Sequence, residues 1–206
     1  DPPYHLKSRL KIRLSGNKHI RNGFVKTMIP IWKLSGRLGN QMFQFAYLHA
    51  QMRRGLIPDV YVQSEEYFRE YAEDIKQMYG QGIAPIDKVA IHVRRGDYVN
   101  NPFYVDLMTT GYYERAMTLF PNEKFLVFSD DIEWCKKQDI FKNCEFSEGD
   151  EITDMNMMAG CKGVIMANSS FSWWGAYLSK GKVIAPKEWY ADGVERSKLL
   201  DTWIRI

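Results

Sequence analysis

The segment HVRRGDY, residues 92–98, places two adjacent arginines at the end of an apolar stretch that reads as a strand. Arginine guanidinium groups bind phosphate oxygens in a bidentate manner, so such a strand end could hold an anion. Because side chains alternate along a strand, Arg94 and Arg95 should point to opposite sides. We expect one to face a ligand and the other to be structural, paired for example with Asp97. An internal salt bridge without a ligand is the alternative.

A second group of polar side chains lies in ANSSFSWWGAYL, across a predicted turn from strand to helix. Hydroxyl groups and the N–H groups of a helix N-terminus bind anions. Helix capping by serine is the simpler explanation, but one cap needs only one side chain. The sequence therefore predicts a second anion-binding turn, with the small polar residues Asn168, Ser169, Ser170 and Ser172.

Two further segments contribute candidate binding residues. In SGRLGNQMFQ, Gly36 and Gly39 follow a predicted strand, and glycine there lets the backbone approach a phosphate or a sugar. A tight left-handed turn is the alternative explanation of these glycines. In FSDD, Asp130 and Asp131 stand at a strand end before a helix. That position favours a helix cap or a ribose contact over a metal site.

The elements that must position these segments follow a regular pattern. From residue 86 onward, predicted strands and helices alternate four times, which is typical of an α/β fold with a parallel sheet covered on both faces. Ligands bind such sheets outside the carboxyl ends of the strands. We therefore expect residues 92–97, 129–131 and 168–172 to open on one crevice. Before residue 86 the pattern predicts a strand at 29–34, a helix at 41–54, a short strand at 59–63 and a helix at 64–80.

Composition is that of a globular protein and argues against nucleic-acid binding. The chain has 206 residues, of which 45% are hydrophobic and 26% are charged. Its net charge is +3, but residues 1–27 hold four Lys and three Arg against one Asp, which leaves 3 − 6 = −3 for residues 28–206. The three cysteines form no CxxC pair, which indicates reduced thiols rather than a disulfide framework or a zinc site. No segment approaches the roughly 18 apolar residues of a membrane span.

Four motifs occur in the order in which the α-1,2-fucosyltransferases carry them, and residues 29–190 resemble that family. The motifs are GRLGNQMFQFA, HVRRGDY, FSDDIEWCKK and NSSFSWWGAYL. The resemblance implies an inverting glycosyltransferase of the GT-B class, in which two Rossmann-like halves face each other. It also implies GDP-β-L-fucose as the donor, the 2-hydroxyl of a terminal β-galactoside as the acceptor, and no metal or other cofactor.

The resemblance also implies roles in donor binding. Arg94 is expected to hold the β-phosphate beside His92, and Asp154 is expected to accept hydrogen bonds from the guanine edge. Asp130 is expected to support the nucleotide pocket. The residues implied around the diphosphate and ribose are Ser169, Ser170, Phe171 and Ser172. With Gly36, Gly39 and Asn168, these residues complete the candidate donor-binding set.

Three residues are candidates for catalysis. The resemblance places Asn40 at the junction of donor and acceptor, and Arg94 against the leaving phosphate. Inversion requires the acceptor hydroxyl to lose its proton, which a nearby carboxylate normally accepts. Asp97 is the best candidate base because it follows the arginine strand by one glycine. Its competing role is to orient Arg95.

The motifs predict three segments: residues 1–27 as a basic, poorly ordered extension, 28–87 as a reduced acceptor-side half, and 88–206 as the GDP-fucose-binding half. Only about 60 residues separate the extension from the arginine strand, whereas a Rossmann half usually needs on the order of 100. The alternative function is therefore a GDP-sugar-binding protein with little or no transferase activity. We expect a cytoplasmic location if the protein is bacterial, and the Golgi lumen only if a membrane anchor has been removed.

Overall fold

The computed structural model describes residues 37–54, 63–195 and 197–206, and its centre is a six-stranded parallel sheet. The strands are β1 (Ile86–Val93), β2 (Phe125–Ser129), β3 (Glu145–Phe146), β4 (Cys161–Ile165), β5 (Lys182–Ala185) and β6 (Ile204–Arg205). Their order in the sheet is β3-β2-β1-β4-β5-β6, and every pair is parallel. The α/β prediction is confirmed. The two-residue strands β3 and β6 were not predicted, because so short a stretch carries no periodicity.

Six α-helices connect or cover the strands. They are α1 (Leu38–Arg54), α2 (Ala72–Tyr79), α3 (Tyr112–Thr118), α4 (Ile132–Cys135), α5 (Glu151–Gly160) and α6 (Ser170–Leu178), as far as the described residues extend. All six correspond to predicted helices, although α2 is shorter than the helix predicted over 64–80. The strand predicted over 29–34 and residues 59–62 of the strand predicted over 59–63 lie outside the described residues. None of the described helices is both long and apolar enough to cross a membrane.

The segment 64–80, predicted as one helix, is broken. Two 3₁₀ turns, Glu65–Tyr67 and Arg69–Tyr71, precede α2, and Phe68 between them has a φ of −139°. The Phe68 ring is almost fully buried and stacks on Trp174, with 5.8 Å between ring centroids. Packing of this one side chain therefore overrides the helical periodicity of its neighbours. Ser64 caps the first turn by accepting a hydrogen bond from the Glu66 N–H at 3.2 Å.

The two faces of the sheet carry separate hydrophobic clusters. On one face α1, α2, α5 and α6 pack around Trp173 and Trp174, both of which are fully buried. On the other face α3 and the segment around Phe141 pack against the sheet through Tyr112 and Tyr113. The described residues before β1 thus form helices and turns that pack onto the first face. The GT-B arrangement and the three predicted segments stay predictions.

The strand order places a crevice between β1 and β4. The chain runs outward from β1 through β2 to β3, then crosses back and continues on the other side of β1 with β4, β5 and β6. Ligands of open parallel sheets bind at the carboxyl edge where the order reverses in this way. HVRRGDY begins within β1 and runs beyond its end, and NSSFSWWGAYL lies between β4 and the end of α6, so both motifs meet at this point.

Candidate functional site

Arg94 lies at the end of β1 and is held between two aspartates. Its Nη1 is 2.7 Å from Oδ2 of Asp130, and its Nη2 pairs with Oδ1 of Asp97. Only 10% of the Arg94 side chain is exposed, against 61% of Asp97 and 21% of Asp130. The guanidinium carbon also lies 5.4 Å from the centroid of the Tyr98 ring. Arg94 is therefore a positioned cation whose two outer nitrogens each contact a carboxylate.

Asp130 is the anchor of this arrangement. Its Oδ1 accepts a hydrogen bond from the Arg95 backbone N–H at 2.8 Å, and Arg37 Nη1 lies 3.6 Å from its Oδ2. Gly96 makes this approach possible, because a Cβ at that position would overlap with the Asp130 carboxylate. Gly96 also has a φ of +29°. The glycine in RRGD is thus explained by the close approach of Asp130 to the turn.

Arg95 points away from Arg94, as the alternation predicted, but its partner is not Asp97. Its guanidinium carbon lies 3.6 Å from the centroid of the Trp134 ring, and its Nε is 3.9 Å from Oδ2 of Asp131. The suggested pairing of Arg95 with Asp97 is therefore wrong, since Asp97 pairs with Arg94 across the turn. Stacking on Trp134 of α4 fixes Arg95 on the far side of the strand.

The two aspartates of FSDD have separate structural tasks. Asp131 is the N-cap of α4 and accepts a hydrogen bond from the Trp134 N–H at 3.2 Å, which confirms the predicted capping role. Asp130 is engaged with Arg94. Within residues 37–54, 63–195 and 197–206, no group of three or more His, Cys, Asp or Glu side chains is arranged to hold a metal ion.

His92 is a buried, neutral base beside Arg94. Burial, together with the positive charge of Arg94, lowers the pKa of His92 to about 3. Its Nδ1 is buried and has no hydrogen-bond partner among the described residues. Its ring centroid lies 5.3 Å from that of Phe171, in the first turn of α6. His92 therefore connects the end of β1 with the turn that follows β4.

The residues of the turn before α6 differ in exposure and in hydrogen bonding. Ser169 is the N-cap residue, but its side chain makes no capping hydrogen bond, and Ser170 and Phe171 are partly exposed. Asn168 is buried, and its Nδ2 donates to the backbone oxygens of Val105 and Trp189 at 3.0 and 2.9 Å.

Ser172 lies beneath this turn. It is fully buried, and its Oγ accepts a hydrogen bond from the Ala167 N–H at 2.9 Å. Both side chains are buried and hydrogen-bonded within the turn, so they have a structural role without a ligand. Whether either one contacts a donor stays a prediction. Ser169, Ser170 and Phe171 remain candidates for contact with a ligand.

Gly39 and Asn40 lie in the first turn of α1, close to the first turn of α6. A Cβ on Gly39 would overlap with the backbone of Ser170 and Phe171. Gly39 is helical, which excludes the left-handed turn, and its lack of a side chain allows the close approach of two helices. Donor binding by Gly39 stays a prediction. Asn40 Oδ1 accepts a hydrogen bond from Nε2 of Gln63 at 2.7 Å. Gly36 lies outside the described residues.

Asp154 lies in the first turn of α5 and is partly buried. Its Oδ1 accepts a hydrogen bond from the Ser147 hydroxyl at 2.5 Å. Burial raises the pKa of the Asp154 carboxyl, and the hydrogen bonds from Ser147 and the Gly149 backbone oppose that change. The carboxylate is thus oriented by the segment that follows β3. Hydrogen bonding of the Asp154 carboxylate to a guanine base stays a prediction.

Contacts between the motifs confirm that the three polar strand ends meet. Asp130 after β2 contacts Arg94 after β1, and the Tyr98 hydroxyl donates to the Asn168 backbone oxygen at 3.0 Å. Sequence reasoning did not include Arg37, Tyr98, Ser147, Gln63 or Ser197 among the site residues. Arg37 and Tyr98 stand inside quoted motifs and could have been found. Gln63 and Ser197 are 134 residues apart in the chain, so no local sequence pattern indicates the hydrogen bond between them.

Comparison with known proteins agrees with this geometry. The sequence profile described as Glycosyl transferase family 11 matches residues 56–206, which is most of the chain. The chain belongs to this family. It is 36% identical over 181 residues to the "Alpha-1,2-colitosyltransferase" of Escherichia coli, an alignment covering 70% of this chain and 60% of that protein.

Two further relatives extend the comparison. The "O-antigen biosynthesis glycosyltransferase WbnK" of E. coli is 35% identical over 139 residues, covering 57% of this chain and 44% of that protein. The "Galactoside alpha-(1,2)-fucosyltransferase 2" of Rattus norvegicus is 29% identical over 133 residues, covering 58% of this chain and 38% of that protein. The chain thus spans between 38% and 60% of the length of these three relatives. A glycosyltransferase of the α-1,2-fucosyltransferase family is the class that these findings support.

Proposed function

We propose that this protein transfers L-fucose from GDP-β-L-fucose to the 2-hydroxyl of a terminal β-galactoside, with inversion and without a metal ion. The observation that carries the proposal is Arg94, a nearly buried cation at the carboxyl end of β1 where the strand order reverses. A cation held there suits the diphosphate of a nucleotide sugar.

Arg94 would stabilise the charge that develops on the departing GDP. As the bond from the fucose C1 to the phosphate oxygen breaks, its electron pair stays on GDP, and preorganised donors lower the barrier. The guanidinium of Arg94 is one donor, and the first N–H groups of α6, near Ser170 and Phe171, are others. His92 remains neutral over the working pH range because its pKa is about 3. It therefore adds a polar contact and no charge.

Donor binding would exchange one carboxylate on Arg94 for a phosphate. Asp130 is fixed by Arg94 and by the Arg95 N–H, whereas the Asp97 side chain is 61% exposed on a turn. Asp97 is therefore the carboxylate that a phosphate displaces. Once released, it lies beside the reaction centre and can accept the proton of the acceptor 2-hydroxyl as that oxygen bonds to C1. Asp97 thus has two successive roles, as partner of Arg94 and as base.

Recognition of guanine is proposed for Asp154. A carboxylate can accept hydrogen bonds from both N1–H and the 2-amino group of guanine, and adenine offers no such pair. The Ser147 hydroxyl donates to one carboxylate oxygen at 2.5 Å and so restricts the orientation of the group. Asp154 also lies at the edge of the sheet where the crevice opens, because α5 begins at that edge. The position and the restricted orientation of its carboxylate both support the proposal.

Two alternatives follow from specific observations. The relative at 36% identity is named a colitosyltransferase, and colitose is L-fucose without its 3-hydroxyl, so a GDP-colitose donor is the first. The second is a GDP-sugar-binding protein with little or no turnover, because the contacts around Arg94 account for a diphosphate more fully than for an acceptor.

One set of assays separates these possibilities. The protein is incubated with GDP-fucose or GDP-colitose and lactose, products are identified by NMR, and GDP binding is measured by calorimetry. We expect GDP binding and an α-1,2-fucosylated lactose. Faster transfer from GDP-colitose would change the donor, and GDP binding without transfer to any galactoside would support the binding protein. Absence of GDP binding would contradict the proposal and both alternatives.

A further inference from the structure

We propose an acceptor subsite formed by Phe103 and Tyr190, called here the aromatic wall, which stacks against the apolar face of a galactopyranose ring. The inference rests on the proposed function, because it concerns the second substrate of the same reaction. It assigns residues that lie outside the four sequence motifs.

The aromatic wall lies where two loops meet at the carboxyl edge of the sheet. The Ala191 N–H donates to the Phe103 backbone oxygen at 3.0 Å, and Tyr104 and Tyr190 form an antiparallel bridge. Six large apolar side chains are exposed among the described residues, and three of them lie in these loops: Val99, Phe103 and Val194. Phe103 itself is 42% exposed. Exposed apolar groups concentrated beside a proposed active site mark a binding surface.

Stacked rings connect the wall to Arg94. The Tyr98 ring, next to the Arg94 guanidinium, stacks on Tyr104 with 3.6 Å between centroids and an interplanar angle of 6°. Phe103 packs against both Tyr104 and Tyr190, with centroids 5.1 Å apart in each case. The wall therefore begins within a few ring widths of the proposed phosphate position. An acceptor stacked there would lie beside the donor.

A polar chain fixes the wall from its other side. The Ser197 hydroxyl donates to Oε1 of Gln63 at 2.6 Å, so the Tyr190 hydroxyl, 3.2 Å from Ser197 Oγ, is the donor in that pair. Gln63 in turn donates to Asn40 Oδ1 at 2.7 Å. Tyr190 is thus oriented from α1, and the wall is a preorganised surface. Preorganisation is what lets a small contact area contribute to affinity.

The chemistry of the wall selects galactose over glucose. The axial 4-hydroxyl of galactose leaves C3, C4, C5 and C6 as one continuous apolar patch, which can lie flat on an aromatic ring. In glucose the equatorial 4-hydroxyl interrupts that patch. The polar atoms of Ser197, Gln63 and Asn40 lie beside the wall, where hydroxyl groups at the ring edge would need partners. A β-galactoside matches both parts of this surface.

Phe103→Ala tests the subsite, with Leu119→Ala as the matched control. Leu119 is 37% exposed, and its backbone oxygen contacts Lys182 at the start of β5, at the opposite edge of the sheet. Saturation-transfer NMR with methyl β-D-galactoside and methyl β-D-glucoside measures binding without turnover, and initial rates give the acceptor KM. Phe103→Tyr keeps the ring and serves as the conservative variant.

We expect Phe103→Ala to weaken the galactoside signal clearly and to raise the acceptor KM roughly 3- to 10-fold, the scale of one aromatic contact, with GDP affinity unchanged. Phe103→Tyr and Leu119→Ala should behave like the wild type. An unchanged galactoside signal or acceptor KM in Phe103→Ala would overturn the subsite while leaving the transferase proposal intact. Galactoside binding that depends on Phe103 without fucosyl transfer would support the subsite and reject the transferase.

Discussion

Two aspartates contact the same arginine, and the account predicts opposite effects when each is changed to asparagine. Asp97 competes with a phosphate for Arg94, whereas Asp130 positions Arg94 for it. Asp97→Asn should therefore tighten GDP binding, because the pair no longer has to be broken. Asp130→Asn should weaken GDP binding, because its amide N–H₂ cannot satisfy both Arg94 and the Arg95 N–H.

The magnitudes follow from exposure. Asp97 is 61% exposed, so its pair with Arg94 contributes on the order of 0.5–1.5 kcal/mol, and removing the competitor should tighten GDP binding about 2- to 10-fold. Asp130 is 21% exposed and makes charge-assisted contacts of about 1.5–3 kcal/mol. Its loss should weaken GDP binding about 10-fold or more.

Calorimetric titration of GDP into the wild type and both variants measures this difference. Asp74→Asn, an exposed aspartate on α2, controls for the general gain in anion affinity when a negative charge is removed. Fucosyl transfer by Asp97→Asn should fall despite its tighter GDP binding, since asparagine cannot accept a proton. Weaker GDP binding in Asp97→Asn would refute the exchange of Asp97 for a phosphate.

Four further predictions concern the same crevice. Arg94→Lys keeps the charge and loses the planar fork, so initial rates of transfer should fall at least ~100-fold, and near-wild-type rates in a folded variant would remove Arg94 from the phosphate site. Asp154→Ala should weaken GDP binding and reduce the preference for GDP over ADP in calorimetry, and unchanged selectivity would exclude Asp154 from the base pocket. EDTA should leave transfer intact, whereas activity lost in EDTA and restored by Mg²⁺ or Mn²⁺ would make FSDD a metal motif. His92 resists protonation in the folded state, so the free energy of unfolding should decrease as the pH falls below about 6.5, by up to ~1.4 kcal/mol per pH unit. In His92→Gln, the free energy of unfolding from chemical denaturation should depend less steeply on pH, and an unchanged pH dependence would contradict the assignment of His92 as buried and neutral.

The sheet could be predicted because its strands and helices alternate with clear apolar patterns. The central residues of runs such as KVAIHV and KFLVFS are buried on both faces of the sheet, and such apolar runs read directly as strands. The pattern failed where one tertiary contact decided the local conformation. Phe68 leaves the helical path because its ring fills the space beside Trp174.

The site was predicted in its residue types and less well in its pairings. The strand pattern indicated that Arg94 and Asp130 stand at strand ends that open on one crevice, and in the structure their side chains are 2.7 Å apart. Alternation could not show whether Asp97 turns toward Arg94 or Arg95, because Gly96 sets that direction with its φ of +29°. The buried position of Asn168 depends on loops distant in sequence, because its side chain contacts the backbone of Val105 and Trp189. Small polar residues in a turn look alike before those loops are placed.

Chemical-shift mapping with GDP tests most directly whether the crevice between β1 and β4 binds the nucleotide. Uniformly ¹⁵N-labelled protein is titrated with GDP, and amide shifts are followed across the chain. The account predicts that the largest changes fall on the backbone N–H groups of Gly96, Asp97, Ser170 and Phe171. Amides at the opposite edge of the sheet, such as those of Leu119 and Lys182, should remain unchanged. Saturable shifts confined to other surfaces, or no shifts at millimolar GDP, would contradict the proposed donor site.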